Sequence, residues 1–118
     1  MAVGIGLRPG TGAAHILRAI RSVITDARIV VVATLDRRAE DTGLRAAAET
    51  LAVPLVTFTP DRLAGVEVRH RSDRTMRAIG AAGVAEAAAL LAGGELVCAR
   101  TVVDGIVVAA ATAREGRN

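Results

Sequence analysis

A glycine-rich turn near the N-terminus holds the residues whose types and spacing are best suited to binding a charged group. From position 3 the chain reads VGIGLRPGTG, an apolar run that ends in a turn with one arginine. Helical spacing of apolar residues begins directly afterwards, so the turn at residues 8–12, the glycine turn, is predicted to present N–H groups at the positive end of a helix dipole. Arg8 can add a charge-assisted bond to a carboxylate or phosphate. We therefore expect Gly6, Arg8, Gly10 and Thr11 to bind an anion, although turn geometry alone would also account for the glycines.

The glycine turn does not match the nucleotide-binding motifs that it superficially resembles. The dinucleotide fingerprint G-x-G-x-x-G, counted from Gly4, requires glycine where this chain has Pro9. A phosphate-binding P-loop requires Gly-Lys-Ser/Thr, and the chain contains no lysine. Neither nucleotide-binding motif is therefore present.

A second charged segment, TLDRRAEDT, begins at position 34 and follows the next apolar run. One interpretation places Thr34 and Asp36 beside the glycine turn, with Arg38 as a second contact to the same anion. In an enzymatic variant of this interpretation, Asp36 or Glu40 is the general base, and Arg8 together with the turn N–H groups stabilises an oxyanion. The alternative is a solvated connection in which Thr42 caps the following helix.

The other titratable residues are expected to be structural or solvated. Glu86 is predicted to cap a helix beginning near Gly83, and His15 lies close to the glycine turn with no partner visible in the sequence. Cys98 lies in an apolar run, which indicates a buried thiol. A basic cluster is expected to form a solvated face; it comprises Arg69, His70, Arg71, Arg74 and Arg77.

Composition narrows the class of protein. A chain of 118 residues suits a single domain, here residues 1–118, and with one aromatic residue its core must consist of Val, Ile, Leu and Ala. The net charge of +3 comes with no aromatic platform for stacking bases, so we expect a small polyanionic ligand and no nucleic acid. A single cysteine, no metal-type Cys/His cluster, no membrane-length apolar run and no signal sequence predict a cytoplasmic protein without metal or membrane contact.

The pattern of apolar residues predicts alternating strands and helices. Continuous apolar runs, typical of strands covered on both faces, occupy residues 2–7, 29–34, 53–58, 96–100 and 106–111. Helical stripes follow the first two runs, Pro60 begins a short helix that is expected to end near Gly65, and an alanine-rich helix covers residues 83–92. Asp104-Gly105 predicts a hairpin between the last two strands.

This order predicts an α/β fold. Strand–helix alternation through residue 58 implies parallel pairing, and the final hairpin adds an antiparallel pair. The expected architecture is a three-layer α/β/α sandwich around a mixed, mostly parallel five-stranded sheet that ends in a hairpin. Ligands of such sheets bind outside the carboxyl ends of the strands, where both charged loops should meet. The candidate ligand-binding residues at this edge are Gly6, Arg8, Gly10, Thr11, Thr34, Asp36 and Arg38.

In this order and with these gaps, the segments resemble the CobE/CbiG C-terminal family of cobalamin biosynthesis. The matching stretches are GIGLRPGT from position 4, ATLDRRAEDTGL from 33, VPL from 53 with Phe58, GVAEAAAL from 83 and the closing hairpin. The resemblance, strongest to the stand-alone form CobE, implies an α/β/α domain that takes part in forming the corrin ring. In the fused form of the family, a larger domain precedes this one, and the whole protein hydrolyses the lactone of cobalt-precorrin-5A with release of acetaldehyde.

The chain departs from the family pattern at positions that bear on chemistry. Leu7 stands where the family often has cysteine, and Arg38 and Arg100 stand where lysines are common. A guanidinium stays protonated and forms no Schiff base, so these arginines favour binding of carboxylates. Together with these arginines, the resemblance implies an accessory protein, without cofactor, that binds a polycarboxylate tetrapyrrole of the precorrin or hydrogenobyrinic acid type and contacts other cobalamin-biosynthesis enzymes; the residues by themselves indicate only a small anion. The alternatives are a precorrin lactone or C–C hydrolase and a protein–protein interaction module.

Overall fold

The structure, a computed structural model, describes residues 1–25, 28–70 and 80–113, except for the side chains of residues 66–70 and 80–83. It contains strands β1 (Ala2–Gly6), β2 (Val31–Leu35), β3 (Leu55–Phe58), β4 (Gly93–Val103) and β5 (Ile106–Ala113). The helices are α1 (Ala13–Val23), α2 (Thr42–Leu51), α3 (Pro60–His70) and α4 (Gly80–Ala92). A 3₁₀ turn, Asp36–Arg38, follows β2.

The strands form one mixed sheet in the order β3-β2-β1-β5-β4. β2 pairs in parallel with both β1 and β3, whereas β5 runs antiparallel to β1 and β4. Four strands therefore share one direction, and they end at the same side of the sheet, the carboxyl edge. This arrangement confirms the predicted mixed sheet and its closing hairpin, in which Asp104 and Gly105 both adopt a positive φ.

Helices cover both faces of the sheet, as the continuous apolar strands predict. On one face, large aliphatic side chains of α1 and α2, such as Ile20 and Leu44, pack on Ile5 of β1 and Val32 of β2. Full burial of each such side chain contributes about 1.5–3 kcal/mol to the free energy of unfolding. The second face is covered by α3 and α4 and is lined mainly by alanine.

The small residues of the second face allow α4 to lie unusually close to the sheet. A Cβ atom at Gly4 would collide with the backbone oxygen of Ala85 and would lie 2.7 Å from the backbone nitrogen of Ala89. A side chain at this position would therefore push the helix away. The glycine of β1 and the alanines of α4 fit together as one close-packed layer.

Several element boundaries differ from those predicted. β2 and β3 each begin two residues later than the apolar runs, and β4 begins at Gly93, before the predicted position 96. The prediction that α3 ends near Gly65 is wrong, since the helix continues to His70. One interior glycine costs a helix only about 1 kcal/mol relative to alanine, and Leu63, 4% exposed, anchors α3 against the α4 side of the core.

The predicted capping role of Glu86 is also wrong, because α4 begins at Gly80 and places Glu86 inside the helix. Its Oε2 accepts a hydrogen bond from the backbone N–H of Arg100 at 2.9 Å, and its Oε1 lies 3.8 Å from Arg100 Nη1. Glu86 therefore ties α4 to the edge strand β4. Cys98 of that strand is a half-buried free thiol that packs against the α1 side of the core.

Candidate functional site

A cleft of about 340 Å³ opens at the carboxyl edge, between the ends of β1 and β2 and the helices α3 and α4. Its volume lies at the lower end of the range for small-molecule sites, about 300–1,000 Å³. Its lining is largely apolar, and none of the described residues that line it is acidic. These residues are Gly6, Leu7, Thr34, Leu35, Arg37, Arg38, Pro60, Leu63, Ala64 and Val84.

The topology explains why the cleft forms at this place. β1, β2 and β3 are parallel neighbours, so the segments that follow them emerge at the same edge of the sheet. Pro60 starts α3 two residues after β3 ends at Phe58, which brings the first turns of that helix to the cleft. The Arg62 guanidinium lies 5.0 Å from the centre of the Phe58 ring and fixes this helix start to the strand through a cation–π contact.

The cations of the cleft are Arg37 and Arg38, which the 3₁₀ turn Asp36–Arg38, the arginine turn, places directly after β2. Arg38 is half-buried and Arg37 is exposed. Among the side chains that the structure describes, no carboxylate pairs with either of them. Other arginines do have such partners: Arg18 with Asp104 at 3.9 Å, Arg45 with Glu40 at 3.3 Å and Arg100 with Glu86 at 3.8 Å. The cleft is thus lined by apolar groups and unpaired positive charge.

The glycine turn lies beside the cleft, but its N–H groups are partly used inside the protein. Gly10, with a φ of +82°, donates its backbone N–H to Asp41 Oδ2 at 3.3 Å. The Thr11 hydroxyl donates to the carbonyl oxygen of Arg8 at 2.7 Å. Gly10 therefore already binds an anion, and that anion is a carboxylate of this chain.

The N-cap of α2 is Asp41 and not Thr42, the residue that the sequence had suggested. Its Oδ1 accepts from the backbone N–H groups of Gly43 at 3.2 Å and Leu44 at 3.4 Å, so Asp41 is the N-cap. Thr42 is the first residue of the helix rather than its cap. Because both residue types are good caps, the sequence alone does not distinguish them.

The structure brings together some of the predicted site residues and separates others. Gly6, Thr34 and Arg38 line the cleft. Thr34 is fully buried, and its hydroxyl donates to the carbonyl oxygen of Ile5 at 2.8 Å, which links β2 to β1. The residues outside the lining are Arg8, Gly10, Thr11, Asp36 and Glu40.

The residues outside the lining are mostly exposed. The Arg8 side chain is exposed and has no described partner, and Asp36 is exposed at the start of the arginine turn. Glu40 is engaged by Arg45, which donates a hydrogen bond to its Oε1 at 3.3 Å. His15 is exposed in the first turn of α1.

Sequence reasoning missed Arg37 and the wall formed by α3 and α4. Arg37 had a visible signal, since it adjoins Arg38 in the same turn. Pro60 had one as well, because a helix that starts directly after a parallel strand begins at the carboxyl edge. Of the predicted basic cluster, Arg71, Arg74 and Arg77 lie outside the described residues, and the side chains of Arg69 and His70 are also outside them.

Neither a metal site nor a membrane-spanning helix is present among the described residues. In the part of the chain that the structure describes, no group of His, Cys, Asp and Glu side chains is arranged to hold a metal ion. Over the same residues, no helix is both long and apolar enough to cross a membrane.

Comparison with known proteins identifies relatives over nearly the whole chain. A family model described as the cobalamin synthesis G C-terminus matches residues 1–111. The crystal structure of CobE, a protein from the cobalamin (vitamin B12) biosynthetic pathway, superimposes with a TM-score of 0.74 at 29% identity, over 92% of this chain and 86% of that one. Cobalamin biosynthesis protein chiG from Agrobacterium tumefaciens superimposes with a TM-score of 0.67 at 32% identity, over 95% and 97% of the two chains.

A similarity to a larger enzyme is more limited. The cobalt-precorrin-5A hydrolase of Priestia megaterium is 27% identical over 99 residues, which cover 80% of this chain but 26% of the hydrolase. The chain therefore spans about a quarter of the length of that curated relative.

Proposed function

The chain belongs to the family of the cobalamin synthesis G C-terminus, and from that premise we propose that its cleft binds a polycarboxylate tetrapyrrole of the corrin pathway. Intermediates of that kind combine a largely apolar macrocycle with peripheral acetate and propionate groups. The protein would act as an accessory factor that holds such an intermediate or passes it between enzymes.

The observation that carries the proposal is that Arg37 and Arg38, which have no carboxylate partner among the described side chains, lie on a largely apolar cleft. A guanidinium binds a carboxylate through charge-assisted and often bidentate hydrogen bonds, each contributing about 1.5–3 kcal/mol. Leu7, Leu35 and Leu63 offer apolar surface beside Arg37 and Arg38. This combination suits a ligand whose carboxylates project from the edge of an apolar ring.

The size of the cleft sets the mode of binding. At about 340 Å³ it accommodates a part of a macrocycle of four pyrrole-type rings rather than the whole. An edge of the ring with its adjacent carboxylates would enter the cleft, and the opposite edge would stay outside. Such partial burial is compatible with transfer of the ligand to another protein.

Binding can be tested directly through the visible absorbance of the pigment. The chain contains no Trp and no Tyr, so its own absorbance near 280 nm is very low. Protein mixed with hydrogenobyrinic acid at micromolar concentration is passed over a gel-filtration column, and the visible spectrum is recorded across the eluate. Pigment that co-elutes with protein supports the proposal, whereas pigment that elutes wholly apart contradicts it.

The similarity to the hydrolase supports a second candidate function, hydrolysis of the cobalt-precorrin-5A lactone. Its predicted general bases, Asp36 and Glu40, are exposed and lie outside the cleft lining. The test is incubation with cobalt-precorrin-5A and measurement of released acetaldehyde over several turnovers. Activity that persists unchanged in Asp36→Ala and Glu40→Ala would remove these residues from the mechanism.

Contact with other cobalamin-biosynthesis enzymes stays a prediction, which co-elution with those enzymes would test.

A further inference from the structure

The Asp41 carboxylate connects two loops of the carboxyl edge. Its Oδ1 accepts from Gly43 and Leu44 and caps α2, whereas its Oδ2 accepts from Gly10 of the glycine turn. The two oxygens therefore serve separate segments of the chain, one local and one 31 residues away. A cap alone would need only the first of them.

A second contact joins the same two segments. A Cβ atom at Gly43 would collide with the carbonyl oxygen of Thr11 and would lie 3.3 Å from the backbone nitrogen of Ala13. The backbone of the glycine turn thus rests on the first turn of α2. The Asp41 carboxylate adds hydrogen bonds to this backbone contact, because it accepts from residues of both segments.

Both segments adjoin residues that line the cleft. Leu7 directly precedes the glycine turn and forms part of one wall, and Arg38 forms part of the wall that follows β2. The backbone N–H of Asp41 donates to the carbonyl oxygen of Arg38 at 3.0 Å, so Asp41 is also fixed relative to that arginine. A single residue therefore links the two walls.

We infer that Asp41 is a positioning residue that holds the Leu7 wall and the Arg38 wall of the cleft at the separation needed to bind the carboxylate-bearing edge of the ligand. The inference rests on the proposed function and adds a residue that does not line the cleft. The inference also predicts the direction in which the ligand affinity changes when the Asp41 charge is removed. Asp41 is negatively charged and the ligand is a polyanion, so Coulomb repulsion alone predicts tighter binding when the charge is removed. Loss of positioning predicts weaker binding.

The variant Asp41→Asn separates these effects. Asparagine keeps a side-chain oxygen that can cap α2, but in place of the second oxygen it has an NH₂ group, which cannot accept from Gly10. The control is Glu49→Gln, which removes one negative charge from an exposed position on the same helix. We expect Asp41→Asn to raise the Kd for hydrogenobyrinic acid about five- to tenfold, while Glu49→Gln leaves it within twofold. An unchanged or lower Kd in Asp41→Asn overturns the inference.

Thermal unfolding followed by circular dichroism shows whether the variant remains folded at the temperature of the binding measurement. If Asp41→Asn has unfolded there, Asp41→Ser replaces it, since serine also caps helices but is too short to reach Gly10. A folded Asp41→Ser protein should show the same weakening. Wild-type affinity in that protein overturns the inference.

A measurement without ligand keeps this inference separate from the proposed function. In the ¹H–¹⁵N spectrum, the Gly10 amide proton should move upfield in Asp41→Asn, because its bond to the carboxylate is lost, and should not move in Glu49→Gln. If wild-type protein binds no pigment, the proposed function fails and this spectrum decides the link between the loops. No movement of the Gly10 signal in Asp41→Asn overturns that link.

Discussion

The two turns at the carboxyl edge differ in how far their capacity to bind anions is already used within the chain. In the glycine turn, Gly10 donates its N–H to the Asp41 carboxylate at 3.3 Å. In the arginine turn, Arg37 and Arg38 line the cleft and have no carboxylate partner among the described side chains. An incoming carboxylate must displace Asp41 to reach Gly10, whereas none of the described carboxylates has to be displaced from the arginines.

The difference matters because displacing Asp41 from Gly10 would break a hydrogen bond that the protein already makes, which costs free energy. Asp41 accepts from three backbone N–H groups on two segments, so an anion that replaced it at Gly10 would also disturb the start of α2. A guanidinium has five N–H donors and remains charged at all physiological pH values. The comparison predicts that the ligand affinity depends on the arginine turn far more than on the glycine turn.

The largest effect is expected when both arginines of the cleft are replaced. The double variant Arg37→Ser/Arg38→Ser should raise the Kd for hydrogenobyrinic acid about a hundredfold, because two charge-assisted contacts of about 1.5 kcal/mol or more are lost and about 1.4 kcal/mol is a factor of ten. The measurement is a titration followed by the visible absorbance of the pigment. Stability should change little, since neither side chain belongs to the core.

The matched control removes two arginine charges from positions outside the cleft. Arg21 and Arg28 are exposed and lie away from the cleft lining. The variant Arg21→Ser/Arg28→Ser should change the Kd less than threefold at physiological salt, where exposed charges are screened over about 8 Å. Equal losses in the two double variants would mean that the ligand is attracted by net charge, without a defined site.

Single replacements compare the two turns directly. Arg38→Ala should weaken binding about tenfold. Arg38 is half-buried in the cleft wall, so its guanidinium is less hydrated in the free protein and gains more from contact with a ligand carboxylate. Arg8→Ala should weaken it less than threefold, since the Arg8 side chain is exposed and outside the lining. A larger loss for Arg8→Ala than for Arg38→Ala in the same titration would reverse the comparison and restore the glycine turn as the anion site.

The sheet could be predicted from the sequence because its signals are local. Apolar runs mark the strands, and Asp104-Gly105 marks the hairpin, whose two residues both adopt positive φ as such a turn requires. Strand–helix alternation then determines which neighbours are parallel. The end of α3 was not predictable in this way, because a glycine at position 65 stops a helix only when packing on either side does not outweigh it.

The site was predictable only in part, for a related reason. Arg38 and Thr34 were placed at the cleft by strand order alone. The hydrogen bond between Gly10 and Asp41 joins residues far apart in sequence, and no local pattern predicts which carboxylate reaches which N–H group. The sequence therefore indicated that the glycine turn could bind an anion, but not that Gly10 donates to the carboxylate of Asp41.

Replacing Gly10 and Gly65 by alanine tests whether the glycine turn requires a backbone conformation that only glycine adopts easily, with Gly65 of α3 as the comparison. Gly10→Ala should lower the free energy of unfolding by about 1 kcal/mol, because a φ of +82° disfavours any side chain, although no atom lies within 4 Å of the added Cβ. Gly65→Ala, also with nothing within 4 Å, should raise it by up to about 1 kcal/mol because the residue lies inside α3. Urea denaturation followed by circular dichroism measures both. The same sign for both variants would contradict the argument.

The smallest effect is expected at Asp36, the acidic member of the arginine turn. Asp36→Asn removes a negative charge next to the cationic cleft, but the carboxylate is exposed and outside the lining. Screening by solvent leaves an interaction well below 1 kcal/mol, so the Kd for hydrogenobyrinic acid should fall by no more than about twofold. In the acetaldehyde assay, any turnover shown by the wild type should persist in this variant. A loss of that turnover with an unchanged Kd would make Asp36 a catalytic group, and the arginine turn would then be part of an active site as well as a binding surface.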